Sequence, residues 1–404
     1  MSSNKLTQIV DLYWEDTAEE LRAKHVYIPG HVQKTFKKIL NCRTEALGCH
    51  VYKCPDCGEY VLVKHSCKDR FCSSCGTAYT DSWAEKTTVM LSSLDVSYYF
   101  LTFTIPKGLE ELAKYNKKIM LNILFQSAWY AVRSYCRKKG VVPGMLAQLQ
   151  TSGRWLNWHP HIHAVCSAGG INIKQTEWKD IYLSADAIRE RFKQRFMKLV
   201  RKYYRIGVLQ VTFLQQRKFN QFLDEQYRQH WQFDRSDVIE YIKPVITYIS
   251  RYLLKPPISD MRICWYNYKQ ICFFFTDYRT NVKEKYILTM FEFFRRLIEH
   301  VQLPSFHMTR NYGIFSSRGK NVLYALAKKY RPAKYHVQMS LQKPANGFRE
   351  RHISKFGQDP LRCKACQQEL QLFAVYYRNQ LNCTFKKLLH NLRAPPVIKS
   401  TEPS

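Results

Sequence analysis

Apolar positions recur at helical spacing along the first 40 residues, through Ile9, Leu12 and Tyr13 and again through Val32, Phe36, Ile39 and Leu40, so the region 1–40 is predicted helical. The periodicity then stops. Residues 42–75 hold turn-formers, charges and seven cysteines, a pattern that organises around metal rather than around an apolar core. A helix is predicted from Thr80 to Leu91. Tyr98 to Ile105 is dense in aromatic and β-branched residues and stops at Pro106, as a buried strand does. A helix over Tyr115–Lys138 covers that strand. Met145–Gln150 and His161–Ser167 read as two strands bridged by a loop, followed by a turn at Gly169 and Gly170. A charged helix near 185–204 precedes a helix over Val245–Leu254, with Pro244 suited to its first turn and Lys255-Pro256-Pro257 ending it. Segments around Cys264, Phe273–Phe275 and Lys285–Leu288 suggest a short β-meander.

Helices and strands mixed in this way predict an α+β protein of four regions: helices at 1–40, a zinc-binding module at 41–90, a sheet-bearing domain at 91–260 and a basic region at 261–404. Lys and Arg number 63 against 32 Asp and Glu, a net charge of +31 that self-repels unless a polyanion offsets it, and nucleic acid is the default partner. From 301 to the end the ratio is 18 to 4, which marks the tail as a DNA-holding arm. The first 25 residues mix acids and bases and contain no signal-peptide core, and no apolar run approaches the roughly 20 residues that cross a bilayer. A cytoplasmic protein is expected. Its 14 cysteines then read as metal ligands and buried thiols rather than disulfides.

Cys54-Pro-Asp-Cys57 and Cys72-Ser-Ser-Cys75 are two knuckles at the spacing that closes four thiolates around structural Zn2+. Cys42, Cys49, His50, His65 and Cys67 lie in the same stretch, so a second site or another choice of four ligands stays open. Cys363-Lys-Ala-Cys366 is half a site, able to recruit a distant partner or to mean nothing. In His159-Pro-His161-Ile-His163, the last two histidines stand two apart on a strand and share one face, where both can hold one ion. Structural strand histidines and metal-dependent amide hydrolases show the same pattern. A third, oxygen-bearing ligand favours Mg2+ or Mn2+. Gln148 and Gln150 share a face of the neighbouring strand, and Gln150 is the assigned ligand. His159 orients the strand or a phosphate. Tyr248 and Tyr252, four apart on a helix, face one way; with 27 tyrosines in the chain, packing alone also accounts for such a pair.

Together these features resemble the HUH-superfamily nucleases and, within them, the two-tyrosine transposases of the insertion-sequence-ninety-one family, relatives of Helitrons. The likeness spans nearly the whole chain, in order: Cys42-Arg-Thr, Leu47-Gly-Cys-His50, Ser66-Cys67, Arg70-Phe-Cys72, Phe100-Leu-Thr-Phe-Thr-Ile-Pro106, Leu156-Asn-Trp-His-Pro-His-Ile-His163, Tyr248-Ile-Ser-Arg-Tyr252, Lys255-Pro-Pro257 and Arg310-Asn-Tyr-Gly313. Phe71 stands where a histidine is common and Cys49 where a glycine is, which leaves the exact zinc ligands open. The resemblance implies an antiparallel central sheet with flanking helices. It also implies a prokaryotic, nucleoid-associated rolling-circle transposase that nicks and joins single-stranded or locally melted DNA at element ends. His161 and His163 would then bind a divalent ion that polarises the scissile phosphate, and Tyr248 and Tyr252 would attack to leave a 5′-phosphotyrosine and a free 3′-hydroxyl. Lys255 and Arg310 would hold DNA, Lys255 would also favour the phenolate, and Trp155 and Trp158 would either stack on bases or pack the loop. A plasmid-type replication initiator or relaxase uses the same chemistry, and a non-catalytic zinc-containing DNA-binding protein is the reading from another class.

Overall fold

The computed structural model describes residues 4–94, 96–172, 177–211, 216–253, 256–276, 280, 282–319, 321–322, 325, 349–350, 352–353, 357–377, 380–381 and 383–393. Two helices open the chain, α1 (Lys5–Ala23), whose N-terminus the Asn4 side chain caps, and α2 (Gly30–Leu40). Leu6, Ile9, Val10, Trp14, Ala18 and Leu21 bury one face of α1, as the sequence spacing requires. A hairpin of β1 (Cys49–Lys53) and β2 (Tyr60–Lys64) leads to α3 (Ser73–Leu91). That helix starts at Ser73 rather than Thr80, because the second cysteine knuckle, with Cys72 at the N-cap position, forms its first turn.

The central domain runs through β3 (Tyr98–Thr104), α4 (Glu110–Tyr115), α5 (Lys117–Lys138), β4 (Val141–Val142), β5 (Gly144–Ser152), β6 (Trp158–Ser167), β7 (Gly169–Asn172) and β8 (Trp178–Asp180). It continues through α6 (Ala185–Arg205), α7 (Gln216–Arg228), β9 (Phe233–Arg235) and α8 (Ile242–Leu253). Gly169 and Gly170 are strand residues of β7 and not a turn. A side chain at Gly170 would strike the Val142 carbonyl, so glycine permits the close pairing of β4 with β7. The meander β10 (Ile263–Tyr266), β11 (Gln270–Thr276) and β12 (Lys283–Thr289) precedes α9 (Met290–Leu297), β13 (Thr309–Gly313), β14 (Gln371–Tyr376) and α10 (Phe385–Arg393).

The main sheet is antiparallel, in the order β13-β5-β6-β3-β9. On one face Leu101, Phe103, Ala147, Leu149, Ile162, Ala164 and Cys166 join Leu124, Phe125, Phe192 and Phe196 of α5 and α6 in the largest core. On the other, Leu146 and Val165 meet Leu91 of α3 and Ile246 and Ile249 of α8. Boundaries at 40, 90 and 260 cut across the packing. Trp14 lies 4.5 Å from Phe36 and 5.4 Å from Phe294, so α1, α2, α9 and the meander share one core. β13 completes the central sheet from the C-terminal side, and β14 pairs with β1. No helix of the described residues is long and apolar enough to cross a membrane.

Candidate functional site

Register alone assembles the chemistry. On the sheet face covered by α3 and α8, His163 lies between Gln148 of β5 and Thr102 of β3, and His161 between Gln150 and Thr104. Alternation sends Ile162, Ala164 and Cys166 into the opposite core, so a strand with one wholly apolar side holds the two imidazoles. Their ring centres are 4.8 Å apart. The His161 Nδ1 donates to the His159 carbonyl at 2.7 Å, which fixes the tautomer and leaves the Nε2 lone pair available. The His163 Nε2 lies 3.1 Å from the Gln150 Oε1, and its Nδ1 lies 3.3 Å from the Thr102 hydroxyl. Burial pushes the His163 pKa down to about 4; burial, with His163 and His159 beside it, takes His161 well below the usual histidine range. Both rings are therefore neutral at physiological pH, the state a metal ligand needs.

Two imidazoles and an amide oxygen on one sheet face fit a hard divalent ion that keeps its remaining positions for water or phosphate. Among the described residues, no carboxylate, cysteine or further histidine joins the pair as a third close ligand. Gln148 turns away from that role, since its Oε1 accepts from the Thr309 hydroxyl. His159 is held instead by Glu110, with 2.6 Å between Nδ1 and Oε1. Sequence reasoning singled out neither Glu110 nor Thr102. Thr102 left a trace, since it and Thr104 are hydroxyl residues alternating with the buried Leu101 and Phe103; Glu110 left none.

Helix α8 sets Tyr248 over this face. Its ring centre is 6.5 Å from that of His163, and Phe100 lies beside both, 5.4 Å from His163 and 5.9 Å from Tyr248. Tyr248 is 45 % exposed, so its phenol is open to solvent. Tyr252 follows one turn later on the same helix, but its side chain lies outside the described residues, as does Lys255 entirely. Arg310 is not gathered into the site. It pairs with Ala147, on the sheet face opposite the histidines, where its guanidinium lies 4.1 Å from the Phe125 ring centre and donates to Asn122. Trp158 packs against His300, with Lys117 over its ring, whereas Trp155 is 48 % exposed.

The four cysteines expected to share one zinc are divided between two groups. Cys72 and Cys75 gather with Cys42 and Cys67, while Cys54 and Cys57 gather with Cys363 and Cys366. The reason is chain geometry: the first knuckle closes the β1–β2 hairpin, and the second opens α3, so each faces different neighbours. In the first group the Cys42 and Cys75 Sγ atoms are 3.6 Å apart, and Cys42 and Cys72 3.8 Å, near the roughly 3.8 Å that a tetrahedral ion with 2.3 Å bonds to sulfur requires. Between this module and the sheet runs a cleft of about 720 Å3 lined by Lys34, Lys38, Lys68, Arg70 and Asp69, reaching Gln148 on the histidine face and Pro256 just beyond α8.

A family model described as a putative transposase matches residues 144–322, the stretch holding the histidine and tyrosine elements. One described as a transposase zinc-binding domain matches residues 10–105. Among curated proteins, the transposase for insertion sequence element IS801 of Pseudomonas savastanoi pv. phaseolicola is 30 % identical, over 82 % of this chain and 81 % of its own length. A putative transposase, y4qJ, of Sinorhizobium fredii is 27 % identical over 87 % of this chain and 90 % of its own. No solved structure matches.

Proposed function

Since the chain belongs to the IS91 family of insertion-sequence transposases, we propose that it nicks and rejoins single-stranded or locally melted DNA at element ends through a tyrosine nucleophile beside a histidine-held cation. The observation that carries the proposal is the approach of an exposed phenol to the buried histidine pair, 6.5 Å between the rings of Tyr248 and His163. His161, His163 and Gln150 supply the donors. A Mg2+ or Mn2+ ion held there would withdraw charge from the scissile phosphate and favour the phenolate as it attacks.

The Tyr248 phenol gives up its proton as its Oη forms a bond to phosphorus, while the bond from phosphorus to the 3′ oxygen breaks and that oxygen takes up a proton, leaving a 5′-phosphotyrosine and a free 3′-hydroxyl. A second 3′-hydroxyl then attacks the ester and releases the tyrosine. The ester conserves the bond energy, so no nucleoside triphosphate is consumed. Tyr252 serves as the second nucleophile, with Lys255 near the helix end favouring its phenolate. Lys34, Lys68 and Arg70 contact backbone phosphates along the cleft that leads to Gln148, and Trp155 offers a face for a base.

The test is end-labelled single-stranded DNA carrying element ends, incubated with protein and Mg2+ or Mn2+ and run on a denaturing protein gel. A labelled protein band lost in His161→Ala and in the Tyr248→Phe/Tyr252→Phe double variant is expected. Tight DNA binding with no band under either ion would defeat the nuclease reading.

A further inference from the structure

Cys363 and Cys366 lie outside both matched stretches, 10–105 and 144–322, and their partners Cys54 and Cys57 stand more than 300 positions away in the chain. Across that separation the Sγ atoms of Cys54 and Cys366 are 3.3 Å apart, those of Cys57 and Cys363 3.6 Å, and those of Cys57 and Cys366 3.6 Å. The two knuckles also repeat each other in backbone detail. The Cys54 amide donates to the Glu59 carbonyl at 2.8 Å, and the Cys363 amide to the Gln368 carbonyl at 2.8 Å. Gly58 returns a bond to the Cys54 carbonyl at 3.1 Å, as Gln367 does to Cys363 at 2.9 Å, and both residues adopt left-handed backbone, φ 71° and 62°. Holding a non-glycine residue such as Gln367 there costs energy, which the local turn must offset.

We propose that Cys54, Cys57, Cys363 and Cys366 bind a second structural zinc ion that clasps the C-terminal segment to the N-terminal module. Four thiolates close the tetrahedron and leave no position for substrate, so the site is structural. The apolar packing around it is small, chiefly Tyr52, Val61 and Leu370, and a unit with so little core needs a staple. The β1–β14 ladder, with Cys49 opposite Tyr376 and Lys53 opposite Gln371, carries the clasp into the hairpin. A side chain at Gly48 would strike the Tyr376 carbonyl, so the strand approach is built into the sequence at both ends. Cys57 and Cys366 are exposed, whereas Cys72 and Cys75 of the other group are buried, so the clasp releases its ion to chelators first.

The full chain, purified under reducing conditions, should carry two zinc ions, and Cys363→Ser/Cys366→Ser only one, with new protease cleavage near the C-terminal segment. In the unaltered protein, iodoacetamide should spare all eight thiols of the two groups until a chelator is added, and then mark Cys57 and Cys366 ahead of Cys72 and Cys75. Because that arm needs no variant, it holds even where the double substitution fails to fold. A single zinc per chain with Cys54, Cys57, Cys363 and Cys366 alkylated freely in its presence, or linked as disulfides in the reduced protein, overturns the proposal.

Discussion

His300 fixes the loop that presents the histidine motif. Its Nε2 donates to the Leu156 carbonyl at 3.1 Å and its Nδ1 accepts from the Thr151 hydroxyl at 3.0 Å, while Leu156 itself sits at φ 60°. Burial pushes the His300 pKa down to about 4. The unfolded chain therefore takes up a proton at this position that the folded chain refuses, beginning near the ordinary histidine value of about 6.5. Stability from this group is complete above about pH 6.5 and declines as pH falls toward 4, by about 2 kcal/mol at pH 5. Urea unfolding at pH 7 and pH 5 should show a drop in the unaltered protein to which the buried His161 and His163 also contribute, and in His300→Asn a drop smaller by about 2 kcal/mol; equal drops would refute this assignment. At this scale the sequence is most informative where spacing maps onto one element, as for His161, His163 and Tyr248. It is least informative for Glu110, whose contact with His159 depends on neighbours brought in by the fold.

Helix α8 links the sheet to Tyr248, the proposed nucleophile. Ile246 and Ile249 are fully buried against the sheet, and Tyr248 lies on the exposed side between them. Ile249→Ala should cost about 2–5 kcal/mol and loosen the helix, whereas Ile249→Val should cost about 0.5–1.5 kcal/mol. At a temperature where both variants stay folded, covalent adduct formation should fall several-fold more in the alanine variant, because catalysis tolerates little displacement of the attacking atom. DNA affinity measured alongside should be unchanged, and an equal loss of affinity would place α8 in binding rather than in positioning. Element positions are legible wherever hydrophobic periodicity is intact, as in α1, α5, α6 and β3. They drift where another force sets the boundary: metal-type ligands open α3 at Ser73, and backbone pairing turns Gly169 and Gly170 into strand.

On the scale of the whole molecule, part of the charge of +31 is gathered in one cleft, where Lys34 and Lys38 of α2 and Lys68 and Arg70 of the cysteine-organised module line a path that reaches Gln148. Lys34 and Lys68 are exposed along it, while Lys38 is already paired with Asp69 at 3.6 Å. If Lys34 and Lys68 each neutralise one phosphate, Lys34→Ala/Lys68→Ala should flatten the logarithmic dependence of single-strand affinity on salt by about 1.4. An unchanged slope would send the DNA elsewhere on the surface. This assembly is the least legible level in the sequence. The partnership of Cys54 with Cys366 spans 312 positions, and β13 reaches the central sheet from beyond the meander, so neither follows from local pattern. The central claim is that a tyrosine of α8 carries the DNA. The direct measurement is peptide mass spectrometry of the protein–DNA adduct after nuclease and protease digestion. A phosphonucleotide on Tyr248 or Tyr252 is expected, and a modification on any tyrosine outside α8 would remove that helix from the reaction.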